Sequence, residues 1–157
     1  MSPRPDQSIS CDVHGCVDEL RDLCNELNIH PTDDQVYFIG DLINKGPSSL
    51  EVIEYAASLK ATSLLGNHEH RLLQQARGTA PETERFHELK KEFGSRFAGF
   101  IDDLENWPTF VRLPDAILVH AGIPPGQQPE NVDDNTLVTL RSCDYQGNSD
   151  VPWFEPY

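Results

Sequence analysis

Six residues of this chain have the types and settings of groups that bind or work beside divalent cations. They are Asp12 and His14 in Asp12-Val13-His14-Gly15, Asp41 in Gly40-Asp41, Asn67 and His68 in Gly66-Asn67-His68-Glu69, and His120 in Val119-His120-Ala121-Gly122. Each motif follows a short β-prone segment, so four strand ends offer a mixed set of oxygen and imidazole donors. Two hard-to-borderline cations sharing one carboxylate accept such a set. Asp41 is the candidate for the shared ligand, because the apolar run Val36 to Ile39 delivers it to a loop that begins at Gly40 and ends at Gly46. One Asp-X-His alone is ordinarily a surface pair, and the weight lies in the repetition.

The elements that must position these groups alternate. Ser8 to Cys11 reads as a strand, and Val17, Leu20, Leu23, Cys24 and Leu27 then recur at helical spacing. Gln35 to Ile39 reads as a buried strand, and Pro47 with Ser48-X-X-Glu51 signals a capped helix start. Ala61 to Leu65 is the third strand, followed by a helix over His70 to Ala76. This rhythm predicts a largely parallel α/β sheet with ligands at the carboxyl ends of its strands. Phe86, Leu89, Phe93, Phe97, Phe100, Ile101 and Leu104 form one stripe over Glu82 to Asn106, a helical insert against the sheet that Gly94 and Gly99 threaten to interrupt. Thr109 to Leu113 and Ala116 to His120 are strands joined by a turn at Pro114-Asp115, and Asn135 to Arg141 predicts a short helix.

Bulk properties narrow the function. The 157 residues suit one domain spanning 1–157. A net charge of −14 argues against gripping nucleic acid by its phosphates, which needs a basic face. No run approaches the roughly 18 apolar residues of a membrane span, and Met1 to Gln7 lacks a signal-peptide core, so a cytoplasmic protein without membrane contact is expected. The four cysteines, Cys11, Cys16, Cys24 and Cys143, have no Cys-X-X-Cys spacing and are expected to be reduced rather than zinc-bound.

Taken together and in this order, the four motifs resemble those of the calcineurin-like metallophosphoesterases. Asn44-Lys45-Gly46-Pro47 and Pro152-Trp153-Phe154 are most similar to the branch of symmetrical diadenosine tetraphosphatases and bacterial serine/threonine phosphatases. The resemblance implies a layered β-sandwich with flanking helices. It implies a first metal held by Asp12, His14 and Asp41 and a second held by Asp41, Asn67 and His120, with manganese, iron, zinc, cobalt or nickel all compatible. His68 is then the expected catalytic proton donor, and Lys45 and Arg141 the expected phosphate contacts, Lys45 as a point charge where many relatives have arginine. The implied substrates are nucleotides, dinucleoside polyphosphates first, or phosphoproteins. His30, His70 and His87 match no ligand of the family.

Three departures bear on this reading. Asn44 stands where the protein phosphatases carry an aspartate that orients the motif histidine; an amide carbonyl can accept the ring N–H but cannot stabilise an imidazolium by charge. That favours a nucleotide phosphohydrolase over a protein phosphatase. Cys11 replaces a usual glycine, with harmless packing expected. Relatives also carry a Gly-His pair well after Pro-Trp-Phe, which leaves the sandwich and second metal site incomplete here: a fragment of a longer protein is expected, the alternative being a natural short form with weakened second-metal binding. The rival from another class is a non-catalytic domain that keeps one metal on Asp12, His14 and Asp41.

Overall fold

The computed structural model describes residues 7–10, 12–142, 150 and 152; Cys11, Cys143 and the Trp153-Phe154 part of the motif singled out above lie outside them. Strands β1 (Gln7–Ser10), β2 (Gln35–Phe38) and β3 (Thr62–Ser63) form a parallel sheet in that order. Gln7 pairs with Gln35 and Ser10 with Phe38, while Tyr37 pairs with Thr62. The crossovers are α1 (Val17–Glu26) and α2 (Ser49–Ser58). Ser48 caps α2 as its spacing predicts, its side chain accepting from Glu51 N.

Successive residues of a strand face opposite sides, and β2 uses both. Val36 and Phe38 pack with Val17, Leu20, Val52 and Ala56 of α1 and α2. Tyr37 and Ile39 pack instead with Leu118, Val111 and Leu113. Val111 and Leu118 come from a second, antiparallel sheet of β4 (Phe110–Arg112) and β5 (Ile117–Val119), in which Phe110 pairs with Val119, and Leu113 directly follows β4. The expected layering of helices and two sheets therefore holds, with β2 as the shared middle. Phe38 is wholly buried, worth roughly 1.5–3 kcal/mol over an exposed side chain.

Most elements differ by a residue or a few at their ends from the sequence expectation, β3 and the last helix being shorter, and two differences bear on the site and the core. The third helix, α3 (Asn67–Ala76), starts three residues before His70, so the Gly66-Asn67-His68-Glu69 motif is itself a helix start. The aromatic insert is broken at Gly94, where φ is +54°, into α4 (Glu84–Phe93), a 3-10 turn over Gly94–Arg96 and α5 (Phe97–Leu104); Gly99 lies within α5. The stripe nonetheless stays in register, since Phe86, Leu89, Phe93, Phe97, Phe100 and Leu104 are all buried, with Ile101 half-buried beside them. Phe93 stacks on Phe100 at 4.5 Å between centroids. The last helix is α6 (Asp134–Thr139), capped by the Asp133 side chain. No helix among the described residues is long and apolar enough to cross a membrane.

Candidate metal centre and the cleft beside it

The loops after β1 and β2 are fastened to each other before any side chain is considered. His14 N donates to Asp41 O at 2.9 Å, Gly15 N to Leu42 O at 2.8 Å and Ser48 N to Gly15 O at 3.0 Å. Asp12, His14, Asp41, Asn44 and Lys45 all take left-handed φ values, an unfavourable conformation for residues with a Cβ that persists only where surrounding contacts impose it. The close approach of the Gly40 and Gly66 backbones is one such contact: a Cβ on Gly66 would stand 2.3 Å from Asp41 Oδ1 and 2.4 Å from Asp41 N. Gly66→Ala is accordingly expected to cost about 3 kcal/mol, measured as a shift in the denaturant midpoint, because the clash is with backbone that cannot rotate away.

Glu69 is the other contact, and sequence reasoning quoted it without giving it work. Its side chain is completely buried. Oε2 accepts from Asp41 N at 2.9 Å and Gly66 N at 3.0 Å, and Oε1 from Leu42 N at 2.9 Å and Ile43 N at 3.2 Å. One carboxylate thus closes the start of α3 and holds three consecutive amides of the Asp41 loop. Burial pushes the Glu69 carboxyl above its ordinary range and the nearby Asp41 charge adds to this, while the backbone donors pull it down.

Around Asp41 the predicted ligands gather. Its carboxylate, nearly buried, lies 3.5 Å from His14 Nε2, 3.6 Å from His120 Nε2 and 3.9 Å from His68 Nε2. Asp12 Oδ1 is 3.8 Å from His14 Nε2. Donor atoms of His14, Asp41 and His68 lie within 4.8 Å of one another, and so do those of Asp12, Asp41 and His120. The two groups divide the ligands differently from the expected pairing, yet Asp41 belongs to both.

The hydrogen bonds decide which ring nitrogens are free. His14 Nδ1 sits 3.2 Å from Ile43 O and His120 Nδ1 2.7 Å from Ile39 O. A carbonyl only accepts, so each Nδ1 carries the proton, and in a neutral ring each Nε2 is left as a lone pair. His120 Nε2 then faces the Asn67 side-chain amide at 3.0 Å, with the Asp12 and Asp41 carboxylates beside it. At His14 the same lone pair meets the Lys45 ammonium at 2.9 Å, a cation standing where the donor set calls for one. A cluster of carboxylates, imidazoles and an amide of this kind fits a divalent metal site.

His68 is held differently. Arg85 Nε, which can only donate, is 2.8 Å from Asn44 Oδ1, so the Asn44 amide nitrogen is the atom 2.9 Å from His68 Nδ1. The amide donates to the ring, the reverse of the carbonyl-to-ring-N–H bond that Asn44 could have made, because its carbonyl is taken by Arg85. Neutral His68 therefore carries its proton on Nε2, the nitrogen directed toward Asp41. Burial lowers the His68 pKa; Asp41 opposes the shift, and His14, Lys45 and His120 add to it.

A cavity of about 440 Å³ opens beside the cluster, with Asn44, Lys45, Asn67 and His68 on its near wall. Arg141, expected at the phosphate, is exposed after α6 and is not among the residues lining this cavity, whereas Arg71 and Arg85 are. Sequence reasoning missed both. Arg71 had a legible signal, since it lies four residues after Asn67 on what proves to be one helix face. His70 is half-buried on α3, and His30 and His87 are exposed.

This fold and site define a class. Residues 11–156 match the model of the calcineurin-like phosphoesterase family, and the chain belongs to that family. Within it, the chain is 34% identical over 145 residues, 85% of its length, to a protein of Shewanella sediminis named symmetrical bis(5'-nucleosyl)-tetraphosphatase. A protein of the same name from Marinomonas sp. is 38% identical over 122 residues, 73% of this chain. The chain spans about half the length of these relatives, 52% of the first and 43% of the second. A solved protein provisionally named a diadenosine tetraphosphatase superposes with a TM-score of 0.75 at 27% identity, over 90% of this chain and 61% of that one. A serine/threonine phosphatase from Saccharomyces cerevisiae, with a TM-score of 0.65 at 23% identity, shares the fold over 91% of this chain and 47% of its own.

Proposed function

We propose that this chain is a single phosphoesterase domain that hydrolyses phosphoanhydride bonds of dinucleoside polyphosphates, diadenosine tetraphosphate among them, in a metal-dependent reaction. The observation supporting this reading is the convergence on Asp41 of carboxylate oxygens and imidazole nitrogens from four separate segments, donor types that bind divalent cations. The relatives' names supply the substrate class. Asp12, His14 and Asp41 would hold one ion and Asp41, Asn67 and His120 the other, with manganese the first to test. When bound, the ions supply Lewis acidity, lowering the pKa of the attacking water and neutralising phosphoryl oxygens.

The remaining work falls to the chain's own groups. His68 holds a proton on Nε2 at the mouth of the cleft and offers it as a hydrogen-bond donor to the leaving-group oxygen. Asn44 fixes that tautomer, and Arg85 fixes Asn44. Lys45, exposed beside His14, presents a point charge to the phosphate.

The test is turnover of diadenosine tetraphosphate and of an aryl phosphate by the full chain, with and without manganese. Metal-dependent release of nucleoside diphosphate is expected; turnover of neither substrate would end the proposal. His68→Asn should lower kcat by about 10²–10³-fold while leaving the bound-metal stoichiometry unchanged, because the ring donates to substrate rather than holding an ion. Loss of metal in that variant would instead make His68 a ligand.

A further inference from the structure

Asn44 is held at both ends. Its backbone N–H donates to the wholly buried Ser49 Oγ at 3.0 Å, its Oδ1 accepts from Arg85 Nε at 2.8 Å, and its amide nitrogen faces His68 Nδ1 at 2.9 Å. Arg85 is itself braced, since its Nη1 donates to Glu88 Oε2 at 2.8 Å on the same helix, α4. The start of α4 is clamped in turn. Gln75 Nε2 donates to Pro81 O at 2.9 Å and to Thr83 Oγ1 at 3.1 Å, and Thr83 caps the helix by accepting from Phe86 N. The helical insert therefore reaches Asn44 through one guanidinium, and that contact decides which way the amide lies.

The consequence falls on what His68 can give. With an amide N–H on Nδ1, the single proton of the neutral ring is on Nε2, the nitrogen 3.9 Å from Asp41 Oδ2. Turning Asn44 over would set its NH2 group against the Arg85 Nε–H, donor facing donor, so Arg85 makes the polarity of the pair one-way. When a phosphorus–oxygen bond is cleaved by water, the electron pair of the broken bond stays on the leaving oxygen. A phosphate or phenolate oxygen departs as a stable anion and needs only a hydrogen bond, whereas an alkoxide must also take a proton. A neutral ring supplies the hydrogen bond. Surrendering its one proton would leave an imidazolate anion, and a second ring proton would point at the Asn44 N–H.

We propose that Arg85, acting through Asn44, is a specificity-determining positioning residue. It confines the chain to substrates with stable anionic leaving groups, phosphoanhydrides and aryl phosphates, and excludes alkyl phosphomonoesters such as phosphoserine. The inference rests on the phosphohydrolase reading and names the substrates that its site turns away. It also says how the exclusion is lifted. Asn44→Asp places there a carboxylate that accepts from both Arg85 Nε and a proton on His68 Nδ1, and its charge supports the second proton on Nε2 that an alkoxide requires.

Selectivity is measured on the manganese-loaded full chain with p-nitrophenyl phosphate and a phosphoserine peptide. Wild type should favour the aryl ester by about 10³-fold or more in kcat/KM, and Asn44→Asp should narrow that ratio by about 10-fold or more. The ring is read separately, by nitrogen NMR of the zinc-loaded chain with isotope-labelled histidine, which needs no turnover. His68 should carry its proton on Nε2 in wild type and in Arg85→Lys, which can still donate to Asn44, and should shift it toward Nδ1 in Arg85→Met. Wild-type His68 protonated on Nδ1, or an Arg85→Met ring unchanged from wild type, overturns the inference. So does an active Asn44→Asp chain whose ratio stays within about 2-fold of wild type. A wild type that cleaves neither these esters nor diadenosine tetraphosphate, yet loses the Nε2 proton in Arg85→Met, would instead remove the hydrolase reading and the selectivity with it.

Discussion

Replacing Asp41 by Asn is expected to abolish the activity, lowering kcat/KM by about 10⁴-fold, and to release both metal ions at once. The substitution keeps the side chain's shape and one carbonyl, so the His68 backbone N–H that Asp41 Oδ1 accepts at 3.1 Å retains a partner and the fold is preserved. What disappears is the charge common to the two ligand groups. The two imidazoles of His14 and His120, the Asn67 amide and an exposed Asp12 hold divalent ions poorly without it. Metal analysis of the purified variant decides the matter: two ions still bound per chain would show that Asp41 does not bridge. The contrast with His68→Asn, which should keep its metal and lose turnover, separates a ligand from a proton donor.

Glu69→Gln is expected to cost about 4 kcal/mol of stability, the largest single loss available outside the apolar core. The glutamine carbonyl can serve only one side of the cradle. Its amide would set two N–H groups against the backbone donors now satisfied by the other carboxylate oxygen, leaving those amides buried and unpaired at about 1–3 kcal/mol each, with the lost charge adding to the cost. For a domain of this size the melting temperature should fall by about 8–16 °C. Because the affected amides belong to Asp41, Leu42 and Ile43, metal affinity should fall with stability even though Glu69 touches no ion. A loss under about 1 kcal/mol would show that the loop is held by other means.

What could be read from the sequence was what is local. The ligand motifs, the strand before Asp41, the Ser48 cap and the aromatic stripe of the insert are each written in nearby residues, and the structure forms the strand, the cap and the stripe as expected. The work of Glu69 could not be read, because its partners lie 26–28 residues away and a glutamate after Asn-His gives no sign that it will be buried. The start of α3 was missed for the same reason, since the residue that closes that turn looked like part of a ligand loop. Asn44 was recognised as an altered position, but the direction of its amide depends on Arg85, 41 residues further on. Arg141 was singled out through resemblance and Arg71 and Arg85 were not considered, because which arginines line the cleft depends on how α3 and α4 pack.

The two-faced middle strand has a consequence for the kinds of genetic lesion this chain can survive. Swapping one apolar residue for another between Val36 and Ile39 changes only how well one layer is filled. Deleting a single codon there would exchange the allegiances of the remaining side chains, sending those meant for α1 and α2 toward the β4–β5 hairpin and the reverse. The same slip would rotate Asp41 away from its three imidazoles. Length, more than composition, is what heredity must keep intact in this strand.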